Sequence, residues 1–179
     1  MKKLTIAFLA VLSAIVLASC ASEPTALEKA LSDSVVAGNP GLEKVEISSV
    51  VLRDSVCVRQ ELARRVRLFE TKLSAEKKRN STPKQIAAVQ HVSDILEALQ
   101  EYSLRMESSS DSTIYYIYDF EVAGKMSDGA AVPRTEMSAT VDCSGNVLRL
   151  FTPGSNVYSG MGIALPGYRE LLESLHASE

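Results

Sequence analysis

The cysteine at position 20 is the residue whose surroundings point most directly to a chemical modification. Two lysines near the start are followed by an almost uninterrupted apolar run over residues 4–16, and the small residues Ala18 and Ser19 then precede Cys20. This order of positive charge, apolar run and small residues is typical of a secretory signal peptide, which is removed from the mature protein. The run is short for a membrane-spanning helix, which needs about 20 residues.

The last four residues of this segment are similar to the lipobox of bacterial lipoproteins, and they read Leu17-Ala18-Ser19-Cys20. In that family the cysteine receives a diacylglyceryl group, carrying fatty acids such as palmitate, and the peptide is cut before it. The resemblance implies a signal peptide over residues 1–19, lipidation at Cys20 and a lipidated tether over residues 20–25. It also implies a cell-envelope location. Ala21 stands where such proteins carry an aspartate when they stay at the inner membrane, which favours the outer membrane.

The remainder of the chain has the length of one domain with its own hydrophobic core, which we expect over residues 26–179. Removal of the signal segment leaves 17 basic residues against 22 acidic ones, so the mature protein is acidic. An exported, acidic domain is not expected to bind nucleic acid. Its partners are instead expected to be the membrane, through the lipid, and an envelope protein or an anionic surface.

Two further cysteines remain after the lipidated one, Cys57 and Cys143. The compartment outside the inner membrane permits disulfides, and two is an even number. A bridge between them would close a long loop and contribute on the order of 4 kcal/mol in the chain-entropy model. Nothing in the sequence brings them together, so both the bridge and a pair of free thiols stay open.

A tyrosine-rich strand is the candidate for a ligand pocket. Tyr116, Tyr118 and Asp119 lie close together in a segment that alternates with period two from Thr113 onwards. These side chains are candidates to line a concave cavity. The alternative is that the tyrosines belong to the core, because aromatic residues are favoured in strands.

A basic segment is the candidate for a surface contact. Nine lysines and arginines oppose three glutamates between Arg59 and Lys84. The candidate surface-binding residues are Arg64, Arg67, Lys77, Lys78 and Arg79. Such a segment either forms a solvated helix face or meets anionic headgroups, to which each basic residue near the surface adds about 1 kcal/mol of attraction.

Motifs for catalysis, metals or cofactors are absent from the sequence. The two histidines have no ligand-spaced partner, and no nucleophile or phosphate-binding signature occurs. We therefore expect no catalytic residue, no metal and no cofactor. The predicted function is a lipid-anchored, non-catalytic binding or interaction module of the envelope. The alternative is a small enzyme or ligand carrier with a cavity lined by tyrosine and aspartate.

The pattern of elements predicts an α+β domain with an antiparallel sheet of three to five strands packed against a helical hairpin. Helix starts are indicated at Thr25 by a capping box and at Thr82-Pro83, and Asp54 or Ser55 is expected to cap the helix between them. A bulge is expected near Ser49, where the alternation of the first strand slips. This order resembles the cystatin-like and NTF2-like architectures, a topological resemblance that transfers no site residue.

The segment from Leu150 to Tyr168 contains no charged residue between its ends and is rich in glycine and proline. Two interpretations are open, a binding loop or a further strand near residues 161–165 that completes the sheet. We favour the strand.

Overall fold

A four-stranded antiparallel sheet forms the framework of the protein. The structure is a computed structural model that describes residues 24–78 and 82–176. The strands follow one another in the sheet in the order β1-β2-β3-β4. The helices are α1 (Ala26–Gly38), α2 (Val58–Lys77), α3 (Pro83–Arg105) and α4 (Tyr168–His176), and the strands are β1 (Leu42–Cys57), β2 (Thr113–Met126), β3 (Ala131–Asp142) and β4 (Val147–Phe151). The predicted α+β class is confirmed.

Helix α1 begins at the predicted capping box. The backbone amide of Glu28 donates to Thr25 Oγ1, and the backbone amide of Thr25 donates to the Glu28 carboxylate. Leu31 and Val35, on the inner side of the helix, are buried against one face of the sheet, which we call the α1 face. The α1 face contributes Phe120, Val122, Ala139 and Val141 to this core.

Strand β1 contains the expected bulge and then runs further than expected. Its pairing with β2 shifts between Ser48 and Val51, and Ser49 has a φ of 54°. The strand continues to Cys57, which pairs with Thr113. The prediction that Asp54 or Ser55 caps the next helix is therefore wrong, because continued strand pairing places the first helical residue at Val58.

Helices α2 and α3 form the predicted hairpin. Thr82 caps α3 through a hydrogen bond from the amide of Gln85, and Pro83 occupies the first turn. Buried side chains from both helices and from α4 form one core, made of Val58, Leu62, Phe69, Val92, Ile95, Leu99, Tyr102, Leu165 and Tyr168. The side of the hairpin that faces α4 is thereby covered.

The second face of the sheet is covered by chain that is neither strand nor long helix. We call residues 152–167 the strap, and the sheet face beneath it the strap face. Strap residues Val157 and Met161 are buried against Tyr115 and Ile117 of β2. Met161–Ala164 forms a 3-10 helix, so the strand favoured over residues 161–165 is wrong. Gly160, with a φ of 77°, turns the backbone so that Met161 enters the core instead of extending along β4.

Candidate functional site

A fully buried carboxylate lies where α2 meets the sheet and the strap. Glu61 has no exposed surface. Its Oε1 accepts from Arg65 Nε at 2.7 Å, and its Oε2 accepts from the Tyr115 hydroxyl at 2.7 Å. A buried charge is costly unless it is paired and hydrogen-bonded, and this carboxylate is both.

The same cluster holds the strap against α2. Arg65 Nη2 donates to the carbonyl oxygen of Tyr158 at 3.0 Å, and the Tyr158 hydroxyl donates to Asp54 Oδ2 at 2.9 Å. The guanidinium of Arg64 lies 4.0 Å from the centre of the Tyr158 ring. The strap also packs closely at Gly162, where a Cβ would stand 2.8 Å from the Tyr168 ring and 3.1 Å from the Arg65 side chain. A side chain at residue 162 would therefore displace the strap from both neighbours.

The environment of this cluster keeps the hydroxyl groups of Tyr115 and Tyr158 protonated. Burial, reinforced by the hydrogen bond to Glu61, raises the pKa of Tyr115 far above its ordinary value. Burial, followed by the hydrogen bond to Asp54, raises the pKa of Tyr158. Because the Glu61 carboxylate has no exposed surface, it does not reach a dissolved substrate in this conformation. The cluster has a structural role, because its hydrogen bonds join α2, β2 and the strap.

The predicted pocket residues do not meet in one cavity. Tyr118 packs on the α1 face, and its ring centre lies 6.4 Å from that of Tyr116. Successive side chains of a strand point to opposite faces, so Asp119 lies on the other face. There it accepts from the Ser138 hydroxyl at 2.6 Å and pairs with Arg53 at 3.6 Å.

The depression around Asp119 is polar. It has a volume of about 360 Å³ and includes Arg53, Glu121, Glu136 and Ser138. Arg53 and Asp119 each expose 48% of their side chains, so solvent screens their attraction. This arrangement offers neither a buried acid nor an isolated nucleophile.

A larger recess lies on the outside of the hairpin, where the start of α2 meets the end of α3. We call it the hairpin groove. Its volume is about 610 Å³. Its apolar surface includes Val58, Leu62, Val66 and Met106, and its border includes Arg59, Arg67, Glu70 and Leu104. Leu104 is 75% exposed, although it is a large aliphatic side chain. The groove was not predictable from the apolar periodicity, because Leu104 lies off the main apolar stripe of α3.

The candidate surface-binding residues divide into two groups. Arg64 is turned inwards, since it contacts the Tyr158 ring and lies 3.5 Å from Glu61 Oε2. Arg67, Lys77 and Lys78 are exposed. Arg79 lies outside the described residues.

The two described cysteines are not joined by a disulfide. Cys57 and Cys143 are both free. Cys57 pairs with Thr113 from the β1 side, whereas Cys143 Sγ contacts the Thr113 carbonyl from the β3 side at 3.2 Å. Because they approach Thr113 from opposite sides, the two cysteines are separated by about two strand spacings, or about 9.5 Å. A disulfide tolerates a Cα separation of only up to about 7 Å. Cys20 and its signal segment lie outside the described residues.

Within residues 24–78 and 82–176, no group of three or more His, Cys, Asp or Glu side chains is arranged to hold a metal ion. In the same part of the chain, no helix combines the length and apolar character needed to cross a bilayer. Comparison with protein-family models, curated proteins and solved structures finds no match to this chain.

Proposed function

We propose that this protein is a lipid-anchored component of the bacterial cell envelope whose folded domain is a non-catalytic binding module. The anchor is a diacylglyceryl group on Cys20, and Ala21 directs the protein to the outer membrane. Helix α1 begins at Ala26, only six residues after the anchor, so the tether keeps the domain close to the membrane surface.

The hairpin groove is the observation that carries the binding role. Its concave shape, its apolar floor and the 75% exposed Leu104 at its border support a role in binding. The sheet gives less support to the alternative of an enzyme or carrier. Its α1 face is filled by α1, and Val157 and Met161 occupy the strap face around Tyr115.

The exposed basic residues near the end of the hairpin support a second contact with the membrane. Lys77 and Lys78 stand at the end of α2 and are exposed. Neither makes an ion pair among the described residues. Their charge is therefore available to anionic headgroups when the hairpin points towards the surface.

Fractionation of cells tests the proposed anchoring. The wild-type protein is expected in the outer-membrane fraction and should resist extraction by salt, because the lipid holds it. Cys20→Ser should leave that fraction, whereas Cys143→Ser should stay in it. Recovery of wild-type protein in the soluble fraction would contradict the proposal.

A further inference from the structure

Helix α3 exposes two large aliphatic side chains away from its buried stripe. Ile86 and Leu104 are 63% and 75% exposed. They lie eighteen residues apart, which is five full turns, so they lie on the same side of the helix about 27 Å apart. Glu97 lies close to the line between them, whereas Leu96 packs against the hairpin core. Leu104 borders the hairpin groove.

The two helices carry opposite charges on this side of the hairpin. The side-chain amide of Gln85 donates to Glu76 Oε2 at 2.8 Å, which fixes the relative level of the antiparallel helices. With equal rise along both helices, Arg67 is level with about residue 94 and Arg59 with about residue 102. Arg67 therefore stands near the exposed Glu97 of α3. No ion pair joins Arg67 to Glu97 among the described residues, whereas Arg59 pairs with Asp111 of the same chain.

We propose that this side of the hairpin binds the same side of a second copy of the chain. A two-fold axis parallel to the helices places α2 of one copy on α3 of the other. Leu104 of each copy then enters the hairpin groove of its partner, and Arg67 faces Glu97 across the interface. A two-fold axis perpendicular to the helices would instead stack α2 on α2 and bring arginine against arginine.

The size of the surface suits such a contact. Helix α2 is about 30 Å long and two helices side by side are about 20 Å wide, which gives a projected area of about 600 Å². A standard interface buries about 800 Å² of accessible surface on each partner, and projected area understates accessible area. The chosen axis also leaves both hairpin tips at the same end. The inference rests on the proposed binding role of the groove and is independent of the lipid on Cys20.

Native mass spectrometry of the full-length protein, released from detergent micelles, tests the inference. The wild type is expected at twice the mass of one chain. Leu104→Asp and Ile86→Asp should each give the mass of a single chain, because they bury a carboxylate in the contact. Ile163→Asp is the matched control. It changes an aliphatic side chain that is 59% exposed on the strap, and it should remain a dimer. Circular dichroism confirms that each variant is folded.

A charge-reversal cycle identifies the partner helices. Arg67→Glu and Glu97→Arg should each weaken the dimer about tenfold or more, which is about 1.4 kcal/mol. The double variant should restore dimerisation, since the charges meet again with exchanged signs. Two results would overturn the inference. They are a wild type with the mass of one chain and a dimer that Leu104→Asp leaves intact. A monomeric wild type that still fractionates with the membrane would refute the dimer and leave the proposed lipid anchor intact.

Discussion

The hydroxyl of Tyr115 donates a 2.7 Å hydrogen bond to the carboxylate of Glu61, although 54 residues separate the two in the chain. Tyr115 belongs to β2 and Glu61 to α2, so this bond ties the sheet to the hairpin. Arg65 shares the carboxylate and also holds the strap at Tyr158. One buried acid thus connects the three parts of the fold that surround the strap face.

Glu61→Ala should destabilise the protein by about 3–5 kcal/mol, because it leaves Arg65 buried without its carboxylate. Chemical denaturation measures this change. Glu70→Ala is the matched control, since it removes an exposed glutamate from the same helix and should change stability by less than about 0.5 kcal/mol. Equal effects of the two substitutions would show that the buried pair does not stabilise the fold.

Stability should fall as the pH rises above about 10, the ordinary pKa of tyrosine. Burial and the hydrogen bond to Glu61 raise the pKa of Tyr115, so the native state keeps a proton that the unfolded chain loses. The stabilisation is complete below the unfolded pKa and declines above it by about 1.4 kcal/mol per pH unit. Urea unfolding on both sides of that pH should show this decline, and Tyr115→Phe should reduce it. A decline of equal slope in Tyr115→Phe would assign the effect to other groups.

Phe69→Ala should cost about 3–5 kcal/mol, the range for a large aromatic side chain lost from a core. Phe69 is 8% exposed within the hairpin core. Leu68→Ala provides a control at the neighbouring position, where the side chain is 42% exposed and the loss should be much smaller. Thermal and urea unfolding of both variants measures the difference. A smaller loss at Phe69 than at Leu68 would reverse the assignment of the buried side.

Local signals predict several elements of this fold well. The capping box at Thr25 and the Thr82-Pro83 start are found where the sequence places them, and the bulge near Ser49 coincides with a shift in pairing. These features depend on residues within a few positions of one another.

Features that depend on distant contacts were not predictable in the same way. The spacing of Glu61 and Arg65 is a visible signal for an ion pair on a helix, but such pairs are usually exposed. The burial of the Glu61–Arg65 pair depends on Tyr115 and on the strap, which are remote in sequence. A strand was predicted near residues 161–165, where Met161 is apolar. The path of the strap is set instead by the neighbouring glycines and by its contacts to α2.

The exposed cations of the hairpin should produce weak, salt-sensitive binding to anionic vesicles. Protein that begins at Ala21 isolates this contribution from the lipid. Replacement of Lys77 and Lys78 by glutamine should abolish the binding and leave the melting temperature nearly unchanged, since both are exposed. Salt should have the same effect, because charges are screened within about 8 Å at physiological ionic strength. Absence of binding by the unsubstituted protein at low salt would show that these cations form only a solvated face.

The lipid on Cys20 is the central claim of this account, and incorporation of labelled fatty acid tests it most directly. Cells that express the wild-type protein should label it, and the mature chain should begin at Cys20. Cys20→Ser should remain unlabelled and keep its signal segment, whereas Cys57→Ser should be labelled like the wild type. Equal labelling of the wild type and Cys20→Ser, or a wild type that carries no label, would contradict the account.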